Sequence, residues 1–261
     1  MMNGLFRKYW YLTVVAVLFF ASASFAQTTT TMDLTSPGNG TTLGNVYVDP
    51  YTATVGGVAN TTVICDDWSN NSYLNESWTA NVNTISSLGG KLTNAPMFGN
   101  NQPLYNELAW LGSQLLANYA AKPTLAQQAA QTEISFAIWE LTYGVNGTTK
   151  DSTAPAAYLS EYLSGGTSNA EYIAAQTYLC EATGGCQGYA GEAGYNASGW
   201  EILTPNSSDP ICNGGPCPSS PAQEFLLYTP ESSATILFGA DMLGLLGLAI
   251  VFRRRLLRPI L

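Results

Sequence analysis

Cys65, Asp66 and Asp67 stand together at the end of a β-branched run, and Gln131, Glu133, Ser135, Trp139 and Glu140 share a later helical stretch. A thiol, carboxylates and a side-chain amide allow three kinds of chemistry: thiolate attack on an acyl group, hydrolysis by two carboxylates, or ligation of a hard cation. The sequence contains no histidine, so neither a Ser-His nor a Cys-His arrangement can be built, and imidazole metal sites are excluded. Asp66-Asp67 lacks the regular loop of a calcium site, and no metal or cofactor is expected. Nothing in the spacing of Asp66, Asp67, Glu133 and Glu140 selects a pair for glycoside hydrolysis. Asp66 and Asp67 read instead as residues of a solvated turn or a helix cap.

Trp68, Trp78, Trp110, Trp139 and Trp200 are candidates for a sugar-binding surface, because an aromatic face stacks on the apolar side of a sugar ring. Trp139 follows Ile138 on an apolar helix face and Trp78 sits in an alternating strand, which makes both of them core. Trp68 has polar neighbours and reads as the exposed one.

These residues need elements to position them. From residue 46 to 85, apolar and polar residues alternate with many β-branched and aromatic side chains, as in Val46-Tyr47-Val48, Thr61 to Cys65 and Trp78 to Val82, so several strands are expected. Pro103 opens a helix in which Leu104, Leu108, Leu111 and Leu115 recur at helical spacing, and that helix stops before Pro123. Thr124 and Gln127 form a capping box for a second helix, with Ala130, Ile134, Ala137, Ile138 and Leu141 on one face, ending near Gly144. A short helix runs from Pro155 to Leu163, closed by Gly165 and Gly166. Ser168 with Glu171 repeats the capping pattern for a helix carrying Tyr172, Ala175 and Leu179. Trp200 to Leu203 and Glu224 to Tyr228 read as closing strands. The expected class is α+β, a β-rich secreted domain with a helical insertion.

The two ends of the chain read differently. Residues 1–26 have a charged lead (Arg7, Lys8), a short apolar core and small residues Ser24 and Ala26 before Gln27, the layout of a removable secretory signal peptide. Residues 234–252 are long and apolar enough for a transmembrane helix, with Arg253, Arg254, Arg255 and Arg258 marking the cytoplasmic side. Asp241 is the one discordant residue in that span. Between the signals, seventeen acidic side chains from Asp33 to Glu231 face only Lys91, Lys122 and Lys150, a net charge of −14. Such a surface repels phosphate backbones and argues against nucleic acid as a partner.

An exported chain meets an oxidising compartment, where Cys180 with Cys186 and Cys212 with Cys217 are the simplest disulfide pairs. Cys65 is then left over. It is an intermolecular partner, a reactive thiol or a buried inert residue.

Two resemblances follow from these motifs. Thr229-Pro230-Glu231-Ser232, the apolar segment and the arginine cluster resemble the PEP-CTERM sorting signal, with Ser232 where a second proline is usual. That resemblance, over residues 229–261, implies an exosortase-type sorting enzyme as partner, and delivery to the envelope or the extracellular matrix after removal of the tail. Ile64-Cys65-Asp66-Asp67, the helix from Tyr105 to Leu111, and Phe136-Ala137-Ile138-Trp139 are similar to the thioester domains of bacterial surface adhesins, over about residues 60–145. In that family the cysteine is joined to a glutamine four residues before the tryptophan, a position held here by Ser135. Gln131 is the nearest amide on that face, one helical turn too early, about 6 Å along the axis.

The resulting expectation is a noncatalytic envelope or matrix protein with one ectodomain, residues 27–228, that resembles a thioester domain with an incomplete cross-linking pair. It is either held in the inner membrane by its tail or released after processing, with exopolysaccharide or surface proteins as partners. The alternatives are a secreted carboxylate-dependent glycan hydrolase and a functional thioester adhesin using Cys65 and Gln131.

Overall fold

The computed structural model describes residues 28–88, 95–143, 145, 153–211 and 222–229. Residues 1–26, the sorting motif at Pro230 and Glu231, the apolar segment 234–252, Arg253, Arg254 and Arg255, and the Cys212–Cys217 pair lie outside the described residues. Among the described residues no helix is long and apolar enough to cross a membrane.

Six strands close into a barrel: β1 (Thr28–Ser36), β4 (Tyr51–Val55), β5 (Val58–Cys65), β8 (Phe225–Tyr228), β7 (Trp200–Ile211) and β6 (Ser77–Thr84), in that order, with β6 returning to β1. Every pairing around the barrel is antiparallel. A small hairpin, β2 (Thr42–Leu43) and β3 (Val46–Tyr47), lies between β1 and β4 in sequence. Among the described residues four α-helices enter the chain between β6 and β7: α1 (Gln102–Ala117), α2 (Leu125–Thr142), α3 (Pro155–Tyr162) and α4 (Ala170–Thr183). The expected α+β class with a helical insertion is what forms.

The pleat builds two cores. Side chains alternate across a strand, so Val63, Cys65, Leu203, Phe225 and Leu227 join Met32, Leu34, Ala53, Trp78 and Ala80 inside the barrel. Their neighbours Ile64, Trp200, Ile202 and Leu226 point outward into a second core shared with the helices. Burial on both faces explains why β8 and the end of β5 read as continuous apolar runs. β1 was not among the expected strands. Its threonine-rich start resembles a polar linker, and only Met32 and Leu34, both fully buried, reveal its inward face.

Local signals set the helices. Leu104, Leu108, Leu111 and Leu115 of α1 are all buried. Gly112 lies against Trp200, whose ring would stand 2.6 Å from a β-carbon placed there. The Thr124–Gln127 capping box of α2 is complete, satisfying backbone N–H groups that the first turn leaves free. The α4 cap differs from the expected one. Gly165, at φ +101°, starts a 3-10 turn over Gly166–Ser168 that absorbs Ser168, and Asn169 becomes the cap, its Oδ1 accepting the Glu171 N–H at 2.7 Å. The Cys180–Cys186 disulfide closes the end of α4, with the two Cα atoms 5.2 Å apart.

Candidate functional site

The end of β5 runs straight from the barrel core into the two aspartates. The Asp66 N–H donates to the Glu224 carbonyl at 3.4 Å, continuing the pairing of Cys65 with Phe225. Helix α2 clips this corner from outside: Trp139 Nε1–H donates to the Cys65 carbonyl at 3.1 Å, and Thr142 Oγ1–H to the Asp66 carbonyl at 2.7 Å. Residues three apart share a helix face. A single face of α2 therefore fixes two successive carbonyls.

Asp66 and Asp67 are not on a solvated turn, as their polarity suggested; both are fully buried, as is Glu224. The reason is tertiary: the helices cover the mouth of the barrel where β5 ends. Asp67 folds its carboxylate back onto the chain, Oδ1 accepting from Ser69 N at 2.8 Å and Asn70 N at 3.3 Å, and Oδ2 from Asn70 Nδ2 at 2.6 Å. Glu224 is the hub of the seam. Its Oε1 accepts from the Tyr105 hydroxyl of α1 at 2.5 Å, and its Oε2 accepts from Thr204 Oγ1 at 2.6 Å and Met97 N at 2.7 Å. Both Asp66 carboxylate oxygens are buried without a hydrogen-bond partner among the described residues.

A buried carboxylate without a nearby cation favours its protonated form. Burial first, then the charges of Glu224 and Asp67, hold Asp66 well above the ordinary carboxylate range. Burial also raises Asp67, against the opposing hydrogen bonds from Asn70 and Ser69. Glu224 is pushed up to about 7 by burial, in spite of the bonds from Met97, Thr204 and Tyr105. The Cys65 thiol is driven well up by burial and then by Asp67 and Asp66, the opposite of what a thiolate nucleophile needs.

The structure does not bring Cys65 and Gln131 together. The Cys65 thiol donates to the Asp67 carbonyl at 3.4 Å. Gln131 is buried elsewhere on α2, with Nε2 donating to the Asn118 carbonyl at 2.8 Å and Oε1 accepting from Thr41 Oγ1 at 3.3 Å. It precedes Trp139, which touches Cys65, by eight residues, about 12 Å of helix. Ser135 donates to the Val48 carbonyl at 2.7 Å. Among the other candidates, Glu140 Oε2 accepts from Ala156 N at 2.9 Å in the first turn of α3, and Glu133 lines a separate groove with Glu181 between α2 and α4. Among the described residues no group of three or more His, Cys, Asp or Glu side chains is arranged to hold a metal ion.

Trp68 is not exposed as its neighbours implied. Its ring packs 5.1 Å from Trp139, 5.3 Å from Tyr158 and 5.7 Å from Phe136, and its Nε1–H donates to the Thr153 carbonyl at 3.1 Å. Trp68, Trp139 and Tyr158 of this stack form one wall of a cleft of about 250 Å³, which Tyr51, Asn70, Asn71 and Gln223 help to close. The cleft adjoins the acid-bearing seam. Asn70 and Gln223 line it and also grip Asp67, Gln223 Nε2 donating to the Asp67 carbonyl at 2.7 Å.

No family model matches the sequence, and neither does any curated protein sequence. Among solved structures the chain is similar to the N-terminal thioester domain of the fibronectin-binding protein SfbI from Streptococcus pyogenes. The identity is 12%, the TM-score 0.38, and the likeness covers 80% of this chain and 97% of that one. It is too distant to carry a residue's role across.

Sequence reasoning missed Tyr105, Thr204, Gln223 and Glu224 as members of one site. Tyr105 lies beside the leucine face of α1 and Glu224 stands at the start of an apolar strand. Both signals announce burial, and neither announces chemistry.

Proposed function

We propose that this chain is a noncatalytic binding domain of an exported envelope or matrix protein, and that the cleft between barrel and helices takes a neutral glycan. The observation that carries this reading is the lining of the cleft: aromatic rings of Tyr51, Trp68, Trp139 and Tyr158 beside the amides of Asn70, Asn71 and Gln223, with no charged side chain among the described residues of its walls. Rings offer a stacking surface and amides offer paired donors and acceptors, the combination that suits hydroxyl-rich, uncharged ligands. A body with seventeen acids and three lysines disfavours anionic polymers.

The noncatalytic part of the proposal rests on where the carboxylates lie. Asp66, Asp67 and Glu224 are sealed from solvent, and Glu140 holds the start of α3. Export through residues 1–26, retention by 234–252 and sorting through Pro230, Glu231 and the arginines complete the proposal, with a membrane and a sorting enzyme as partners. Cell fractionation and the mass of the mature C-terminus test that route: a soluble cytoplasmic chain with both ends intact would overturn it.

A polysaccharide pull-down combined with a reducing-end assay tests the binding reading. Retention that Asn71→Ala and Tyr158→Ala weaken, without new reducing ends, supports it. New ends abolished by Asp67→Asn or Glu140→Gln would replace it with hydrolysis.

A further inference from the structure

A second cleft, of about 400 Å³, lies at the opposite end of β8. Ser113 of α1, Tyr195 and Asn196 of the loop before β7, Trp200 at the start of β7 and Tyr228 at the end of β8 line it. Its chemistry repeats that of the first cleft. The Trp200 and Tyr228 rings meet at 5.2 Å with a 43° tilt, and Tyr228 leaves 44% of its surface exposed. Asn196 is exposed, and its Oδ1 accepts the Ser198 N–H at 3.1 Å. Among the described residues the lining includes no carboxylate or ammonium.

Trp200 is itself only 2% exposed, so the exposed face of the cleft is the Tyr228 ring, and Trp200 backs it from the core. Trp200 is seated against Gly112, where any β-carbon would collide with its ring, and Thr229 N donates to the Gly199 carbonyl at 2.7 Å, tying the end of β8 to the start of β7. A Tyr228 ring that leans on a fixed neighbour loses little freedom on binding.

Gln223 lines the first cleft and Tyr228 the second, five residues apart along one extended segment, about 16 Å. We infer that the second cleft is a further glycan-binding site, and that the domain engages two stretches of neutral polysaccharide at once. This rests on the glycan reading of the first cleft. A polymer that fills both sites gains by effective concentration, whereas a short oligosaccharide fills each site separately.

The test is calorimetry on the purified full-length chain, titrated with cellotetraose, laminaritetraose and maltotetraose and then with soluble xyloglucan, laminarin and starch. The expected result is two oligosaccharide sites per chain. Tyr228→Ala with Asn196→Ala should leave one, and should weaken polymer binding roughly 100-fold while the remaining oligosaccharide site is unchanged. One site in the native chain, lost with Tyr158→Ala and indifferent to Tyr228→Ala, overturns the second cleft and leaves the first reading standing. No binding to any of these glycans overturns both.

Discussion

The inside of the barrel and the seam beside it are equally buried and chemically opposite. Inside, Met32, Leu34, Val63, Trp78, Leu203 and Phe225 fill the space with apolar atoms, each fully buried large side chain stabilising the fold by about 1.5–3 kcal/mol. At the seam, only a few residues away along β5 and β8, Asp66, Asp67 and Glu224 are sealed in with no cation beside them among the described residues. The contrast teaches that burial alone does not decide what a residue contributes. The apolar filling of the barrel carries no carboxylate, whereas the seam holds best while its carboxylates keep their protons.

Removing the centre of the barrel should have the largest effect. Phe225 packs against Tyr51 and Trp78, with ring centroids 5.8 and 6.0 Å away. Phe225→Ala should cost about 3–5 kcal/mol in urea unfolding, by the same amount at pH 5 and pH 8. A loss that varied with pH would break the division between the two regions.

The seam predicts a pH profile. An acid whose folded pKa lies above its unfolded value binds more protons when folded, so stability is full below the unfolded pKa and declines as pH rises towards the folded one. For Glu224 that window runs from the ordinary glutamate range up to about 7. The loss across it should be on the order of 3 kcal/mol, with Asp66 and Asp67 adding in the same direction. Thermal melts from pH 4 to pH 8 check it, and Glu224→Gln should make the profile shallower, leaving the part that Asp66 and Asp67 contribute. A melting temperature that rose with pH would contradict the assignment.

Tyr105→Phe removes one donor from Glu224 and leaves the other two. The expected cost is about 1–3 kcal/mol, greater above pH 7, where the carboxylate is ionised and the lost bond is charge-assisted. Urea titrations at the two pH values separate this from a simple packing defect.

Cys65 belongs to both regions, with its sulfur in the barrel core and its carbonyl held by α2. Its thiol should resist iodoacetamide in the native chain and react fully in denaturant, and methylamine should leave the intact mass unchanged. A native mass short by one ammonia and restored by methylamine would revive the thioester, and would require an amide other than the one Gln131 has committed to Asn118.

Much of the fold was legible because its signals are local. Thr124 with Gln127, the leucines of α1, and the β-branched and apolar runs around Val63 and Leu226 each act within a turn or a strand, and the backbone obeys them. β1 was hidden because threonine serves strands and linkers alike, and only closure of the barrel decides between them. The cap of α4 moved by one residue because Gly165 permits a turn that no capping pattern anticipates.

The sequence by itself determined the helices, the strands next to Cys65, the acidic body and the absence of histidine chemistry, since each follows from neighbouring residues or from composition. Only the tertiary structure decided that Asp66, Asp67 and Glu224 share one dry seam, that Trp68 is a wall and not a surface ring, and that Cys65 and Gln131 are kept apart. The carboxylates come from segments far apart in the chain. Their burial depends on α1 and α2 covering the mouth of the barrel, a contact that no local pattern encodes.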